Sequence, residues 1–244
     1  MPHRDSFAIL MNKLRNITAT TVNGRVTMVA FGDSVTLGLT TNPELLHEQT
    51  YHACLRAELA REFPTTAFST INAGVNGDST AGALRRIQSD VLDHHPDLVI
   101  VAFGLNDSGG GKEGLPRFTE NLETIVRQSQ NAGAGVILLT PNLMATHDNG
   151  HVDPNYRHVL TAFIERQKSG ALALYAERIR QVGTATGAPV ADVYAEWERR
   201  QARGEDMIAH LANGLNHPDA FGHQIAAALL WQAVLRQLEQ KEEK

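Results

Sequence analysis

Residues 97–107 read Asp-Leu-Val-Ile-Val-Ala-Phe-Gly-Leu-Asn-Asp. The unbroken apolar run from Leu98 to Phe103 shows no polar alternation, so a strand built from it must be buried on both faces, as strands of a parallel sheet are. Gly104 then breaks the strand, and a small polar loop follows. Four further runs share this character: Arg25 to Phe31, Ala67 to Asn72, Gly135 to Thr140 and Pro189 to Val193. Helical periodicity fills the intervals. Glu44 to Arg61 sets Leu45, Leu46, Leu55 and Leu59 in register, and Ala220 to Leu238 does the same for Ile225, Leu229, Leu230, Val234 and Leu238. Strands alternating with helices imply βαβ units, here a three-layer α/β/α sandwich on a five-stranded parallel sheet.

A chain of 244 residues suits one large α/β domain. That domain is expected over 25–238, after an N-terminal helical extension over 1–24, whose apolar part is Phe7-Ala-Ile-Leu-Met11, and before a charged tail over 239–244. A single cysteine, Cys54, excludes an internal disulfide and a cysteine-rich zinc site. A net charge of −5 leaves no basic footprint for nucleic acid or an anionic membrane. No stretch reaches the roughly 20 apolar residues that span a bilayer, and the N-terminus lacks a secretory pattern. A cytoplasmic protein acting on a small molecule is the expectation, with pairing into a homo-oligomer left open.

Open parallel sheets bind ligands beyond the carboxyl ends of their strands. Those ends read Phe31-Gly-Asp-Ser34, Asn72-Ala-Gly-Val-Asn-Gly77, Phe103-Gly-Leu-Asn-Asp107 and Thr140-Pro-Asn142. Nucleotide patterns fail: the first loop does not give G-x-G-x-x-G, and Gly109-Gly-Gly-Lys112 is flanked by Asn106 and Glu113 where a phosphate loop needs Gly and Ser or Thr. Ser34, between a buried strand and a helix, reads either as an N-cap or as a nucleophile. Thr36 replaces the second glycine of G-x-S-x-G, which disfavours an ordinary α/β-hydrolase.

Taken together, Gly32-Asp-Ser-Val35, Asn72-x-Gly-x-x-Gly77, Gly104-Leu-Asn-Asp107 and His217-Pro followed by Gly222-His223 resemble, in order, the four blocks of the GDSL esterase/lipase family, also called SGNH hydrolases. The resemblance implies a flavodoxin-like sandwich that hydrolyses esters or thioesters without a metal or organic cofactor. It implies Ser34 as nucleophile and His217 as general base. It further implies the Ser34 and Gly77 N–H groups and the Asn106 amide as oxyanion donors. Asp33 and Asp107 read as loop braces.

One block departs from the family's D-x-x-H: position 214 is glycine. Three options stay open for the group that orients His217. These are Asn213 or a backbone carbonyl, an aspartate from elsewhere (Asp219 or Asp192), and no third group at all, as in a Ser–His dyad. His223 competes as base but should lie inside the last helix and pack there. The cluster His147-Asp148-x-x-His151-x-Asp153 with His158 does not match a metal-ligand spacing and reads as a wall or lid over the site. The expected activity is a serine esterase removing short acyl groups, above all acetyl from carbohydrate or small alcohols. A thioesterase or lysophospholipase, and a catalytically silent binding protein, are the alternatives.

Overall fold

The computed structural model describes residues 7–15 and 24–239. Five strands, β1 (Gly24–Gly32), β2 (Thr66–Gly74), β3 (Leu98–Ala102), β4 (Gly135–Leu139) and β5 (Val190–Ala191), form one all-parallel sheet in the order β2-β1-β3-β4-β5. Successive side chains on a strand point to opposite faces, and this divides the core in two. Met28, Ala30, Leu98, Ile100, Ile137 and Leu139 face one apolar cluster; Val29, Phe31, Val99, Val101, Val136 and Leu138 face the other. Runs without alternation are the result.

The helices are α1 (Ala8–Arg15), α2 (Ser34–Leu37), α3 (Tyr51–Glu62), α4 (Thr80–Asp90), α5 (Gly111–Asn131), α6 (Leu160–Lys168), α7 (Ala171–Thr186), α8 (Val193–Ala202) and α9 (Ala220–Glu239). Tyr51, Leu55 and Leu59 of α3 and Ile225, Leu230 and Val234 of α9 fill the first core; Ala83 and Ile87 of α4 and Phe118, Leu122 and Ile125 of α5 fill the second. Of the N-terminal extension, Phe7 and, from α1, Leu10, Met11 and Leu14 are buried against the first core, and the Lys13 ammonium meets the Asp97 carboxylate at 2.7 Å. The rest of the expected extension, 1–6 and 16–23, lies outside the described residues, as does most of the expected tail; its first residue, Glu239, is still helical.

Two expectations need correction. The helix over 44–61 starts only at Tyr51. Residues 38–46 instead fold back on themselves: Leu39 pairs antiparallel with Leu45, the Leu46 N–H reaches the Gly38 carbonyl, and the Thr40 N–H reaches the Glu44 carbonyl. Leu45 is therefore exposed, and the apolar register counted across it is accidental. The fifth strand shrinks to two residues, because Pro189 has no N–H to give and Asp192 at once caps α8 by accepting from the Ala195 N–H.

The sheet order places β1 between β2 and β3, and their carboxyl-end loops part there to leave a crevice. Gly32 closes β1 where there is no room for a side chain: a Cβ would overlap Thr36 Oγ1 and stand 2.6 Å from the Ala102 carbonyl oxygen. Replacing Gly32 with Ala should lower unfolding free energy by about 1–3 kcal/mol, the usual cost of overpacking. Chemical denaturation against the wild type checks it.

Candidate active site

The turn after β1 fixes Ser34. Asp33, in extended conformation, is the N-cap of α2, and its Oδ1 accepts the Val35 N–H at 3.0 Å. The capping role expected of Ser34 thus falls to its neighbour, and the Ser34 hydroxyl is left to point elsewhere. It points at His217, whose Nε2 lies 3.0 Å from Ser34 Oγ across 183 residues of chain. Both side chains are almost fully buried.

The other ring nitrogen, His217 Nδ1, meets the Thr40 carbonyl oxygen at 2.9 Å. A carbonyl only accepts, so Nδ1 carries the proton and Nε2 presents a lone pair to the serine hydroxyl. A backbone carbonyl therefore orients the imidazole, and it comes from the folded-back segment over 38–46, just ahead of and partly within the helix expected over 44–61. The other options are occupied elsewhere. Asn213 Oδ1 accepts the N–H groups of Leu215, Asn216 and His217 at 2.9–3.0 Å, which shapes the loop rather than touching the ring. Asp219 holds His210 Nδ1 at 2.9 Å and caps the start of α9 through the Gly222 N–H. Asp192 pairs with Arg180 and accepts from Thr140. Burial pushes the His217 pKa below its ordinary value, opposed by the bond to Thr40 and by the charge of Asp153.

The three implied anion donors surround the serine's turn from adjacent strand ends. Among the described residues no acceptor takes the N–H of Ser34 or of Gly77. At Gly77 a Cβ would meet nothing within 4 Å, so glycine is required there by its φ of +72° and not by crowding. The Asn106 amide donates to the Asp78 carbonyl at 2.9 Å and reaches Asp33 Oδ2 only at 3.4 Å, which leaves one N–H weakly engaged. Asp107 braces this loop by accepting from the Thr80 N–H, the Thr80 hydroxyl and the Gly104 N–H. Asp33 is fully enclosed, and burial raises its pKa to about 7, with the Asp107 and Asp78 charges adding to the rise.

Arg86 escaped the sequence reading. From α4 it bonds the Asp78 carboxylate and the carbonyls of Ala73 and Gly32, and it stacks over Phe31 with its guanidinium carbon 4.6 Å from the ring centre. One cation thus ties the ends of β1 and β2 to the loop that presents Gly77. A signal existed: Arg86 falls on the helical stripe of Thr80, Ala83 and Ile87, where a charge must have a purpose. Tyr156 was also missed; its ring stands edge-on to His217 at 6.1 Å.

His223 sits inside α9 as expected, buried, with burial dropping its pKa to about 3; its lone pair on Nδ1 accepts the Tyr51 N–H at 3.1 Å and is therefore not presented to Ser34. In the His147–His158 segment, Asp148 pairs with Arg157 and Asp153 caps the turn at Pro154–Val159. Among the described residues no three His, Cys, Asp or Glu side chains converge as metal ligands, and no helix is long and apolar enough to cross a membrane. The segment is pinned to the His217 loop by Ala145 N–H to Leu215 O, Asp153 N–H to Asn213 O and Asn149 Nδ2 to Gly214 O. It forms a fixed wall beside the histidine.

Residues 30–225 match the model of the GDSL-like Lipase/Acylhydrolase family. The chain is 34% identical over 122 residues to the lipoprotein YqeF of Bacillus subtilis, covering 46% of this chain and 47% of that one, so it spans about half the length of that relative. It is 28% identical over 157 residues to Esterase TesA of Pseudomonas aeruginosa, covering 63% and 72% respectively. The acetylxylan esterase Axe2 of Geobacillus stearothermophilus superimposes with a TM-score of 0.66 at 22% identity, covering 88% of this chain and 96% of that one.

An organophosphorus fluoride should label Ser34. Because the imidazole must be neutral to accept the proton and burial favours its neutral form, the labelling rate should rise with pH through a midpoint below 6.5. His217→Ala should slow labelling about 10²–10⁴-fold, the usual worth of a general base, while His223→Gln should not. Mass spectrometry of the modified peptide reads both.

Proposed function

The chain belongs to the GDSL-like lipase/acylhydrolase family, and on that premise we propose that it is a serine carboxylic ester hydrolase working through an acyl-enzyme. The observation that carries this reading is the 3.0 Å contact between His217 Nε2 and Ser34 Oγ at the carboxyl end of a parallel sheet. Neutral His217 withdraws the hydroxyl proton as Oγ attacks the ester carbonyl, then returns that proton to the departing alcohol oxygen. A water, deprotonated by the same nitrogen, releases the acid and restores Ser34. The tetrahedral intermediate's O⁻ is met by the N–H groups of Ser34 and Gly77 and by the Asn106 amide. Each fixed donor of this kind is worth about 3–4 kcal/mol of barrier.

We assign a short acyl group, acetyl on a carbohydrate or small alcohol. The wall over 142–159 is hydrogen-bonded to the His217 loop and so stands on the histidine side of the site. The fold shared with an acetylxylan esterase supports the same reading.

A series of p-nitrophenyl esters of increasing chain length tests the assignment. Acetate should be the best substrate, and Ser34→Ala should reduce turnover by at least about 10³-fold, as loss of a triad serine does. Release of acetate from acetylated xylooligosaccharides tests the carbohydrate part. A preference for long chains would instead favour a thioesterase or lysophospholipase. Lack of any Ser34-dependent hydrolysis across the series would leave a silent binding protein.

A further inference from the structure

We propose that Asp153 is a positioning residue for His217, acting on the ring through the turn that carries the Thr40 carbonyl; the proposal rests on the Ser34–His217 reading above. Three observations converge on it. First, the position three residues before His217 has no space for an acid. Gly214 has φ +67°, and a Cβ there would stand 2.7–2.8 Å from the backbone of His151 and Val152. The chain at 151–152 occupies the room that a side chain would need.

Second, this crossing delivers a carboxylate to the same region. Asp153 is 7% exposed, and its N–H is anchored on the Asn213 carbonyl at 3.0 Å. Its Oδ1 accepts the Asn155 N–H at 2.9 Å, and its Oδ2 accepts the Asn42 N–H at 3.2 Å. Asn42 lies one peptide beyond the Thr40–Thr41 link whose carbonyl holds His217 Nδ1. Asp153 thereby clamps the turn over 40–44 from outside, while Thr40 and Glu44 close it from within through the Thr40 N–H and hydroxyl, both donated to the Glu44 carbonyl.

Third, Asp153 is the charged group that acts on the His217 ring, favouring its protonated form. The neighbouring titratable groups do not compete. Tyr156, edge-on to the ring, keeps its proton because burial raises its pKa; His223 is neutral above about pH 3; and Asp219 is paired with His210. Asp33 titrates near 7 beside Ser34, and Glu44 accepts from the Thr41 hydroxyl; both are common to every variant compared. A neutral carbonyl alone gives the imidazolium that forms during turnover little charge stabilisation. A nearby buried carboxylate supplies it without touching the ring.

The test uses Asp153→Asn, which keeps an acceptor oxygen and removes the charge, and Asp153→Ser, which keeps a good N-cap for Asn155 and gives up the reach to Asn42. In both, kcat on p-nitrophenyl acetate should fall about 10- to 100-fold with KM nearly unchanged, the cost expected of a displaced catalytic group. The ascending limb of the kcat/KM profile should move to lower pH. Asp153→Glu should recover part of the rate, and Asp148→Asn, on the exposed part of the same segment, should leave it unchanged. The His217 ring titration, followed by NMR in a Ser34→Ala background with and without Asp153→Asn, should show the same downward move without any turnover. Equal midpoints in both readouts would overturn the proposal, as would a loss of rate that merely follows lost thermal stability. Failure of the hydrolase reading is separate, because it shows as activity surviving Ser34→Ala while the NMR comparison still reports on Asp153.

Discussion

The imidazole of His217 is gripped at both nitrogens by atoms from the other end of the chain, Thr40 O on one side and Ser34 Oγ on the other. Both grips issue from the same few residues around α2. Anything that moves this turn moves the nucleophile and its partner together. The glycines that let α2 lie against the strands, Gly32 and Gly74, leave no room for Cβ atoms, so the turn has one seat on the sheet. The α3–α9 pairing then sets the distance between the two halves: His223 of α9 accepts from the first N–H of α3, and Tyr51 of α3 stacks on His223 and bonds the Thr36 hydroxyl. The core under the site and the site itself are one piece of packing.

The electrostatics of this arrangement are economical in charge. Apart from Asp153, the carboxylates near the reacting atoms are either neutralised by a cation, as Asp78 is by Arg86, or buried until their proton is held more tightly, as in Asp33 and Asp107. Burial favours the neutral form of His217 in the resting state, which a base requires. It also makes the protonated form expensive, so the remaining negative charge near the ring matters more than its distance alone suggests.

Much of this was legible in the sequence, and for identifiable reasons. β3 and β4 showed as apolar runs because both their faces are covered. Ser34, Gly77 and Asn106 stood out because small polar residues and glycines recur at strand ends, and His217, in the loop before α9, stood out only when the four family blocks were read in order; the structure places it 3.0 Å from the Ser34 hydroxyl. Thr40 was invisible because it acts through a main-chain carbonyl, which every residue possesses. The segment over 44–50 misled because two adjacent leucines happened to keep step with α3, although a tight local turn folds Leu45 back onto Leu39. Asp153 was visible only as one member of a histidine-rich loop. Nothing local tells that its carboxylate reaches Asn42, 111 residues away. Arg86, by contrast, was readable from its place on a buried stripe.

The crossing of residues 151–152 over Gly214 also bears on how such a site can change. A side chain cannot return to position 214 while the crossing stands, and the crossing cannot relax without surrendering the Asp153 and Asn149 anchors that pin it to the same loop. The two segments are locked in mutual epistasis: no single substitution leads from this arrangement to one with an acid at 214 through a well-packed intermediate. Sequence drift can decorate the wall freely on its outer face, but the backbone contact beneath it works as a ratchet.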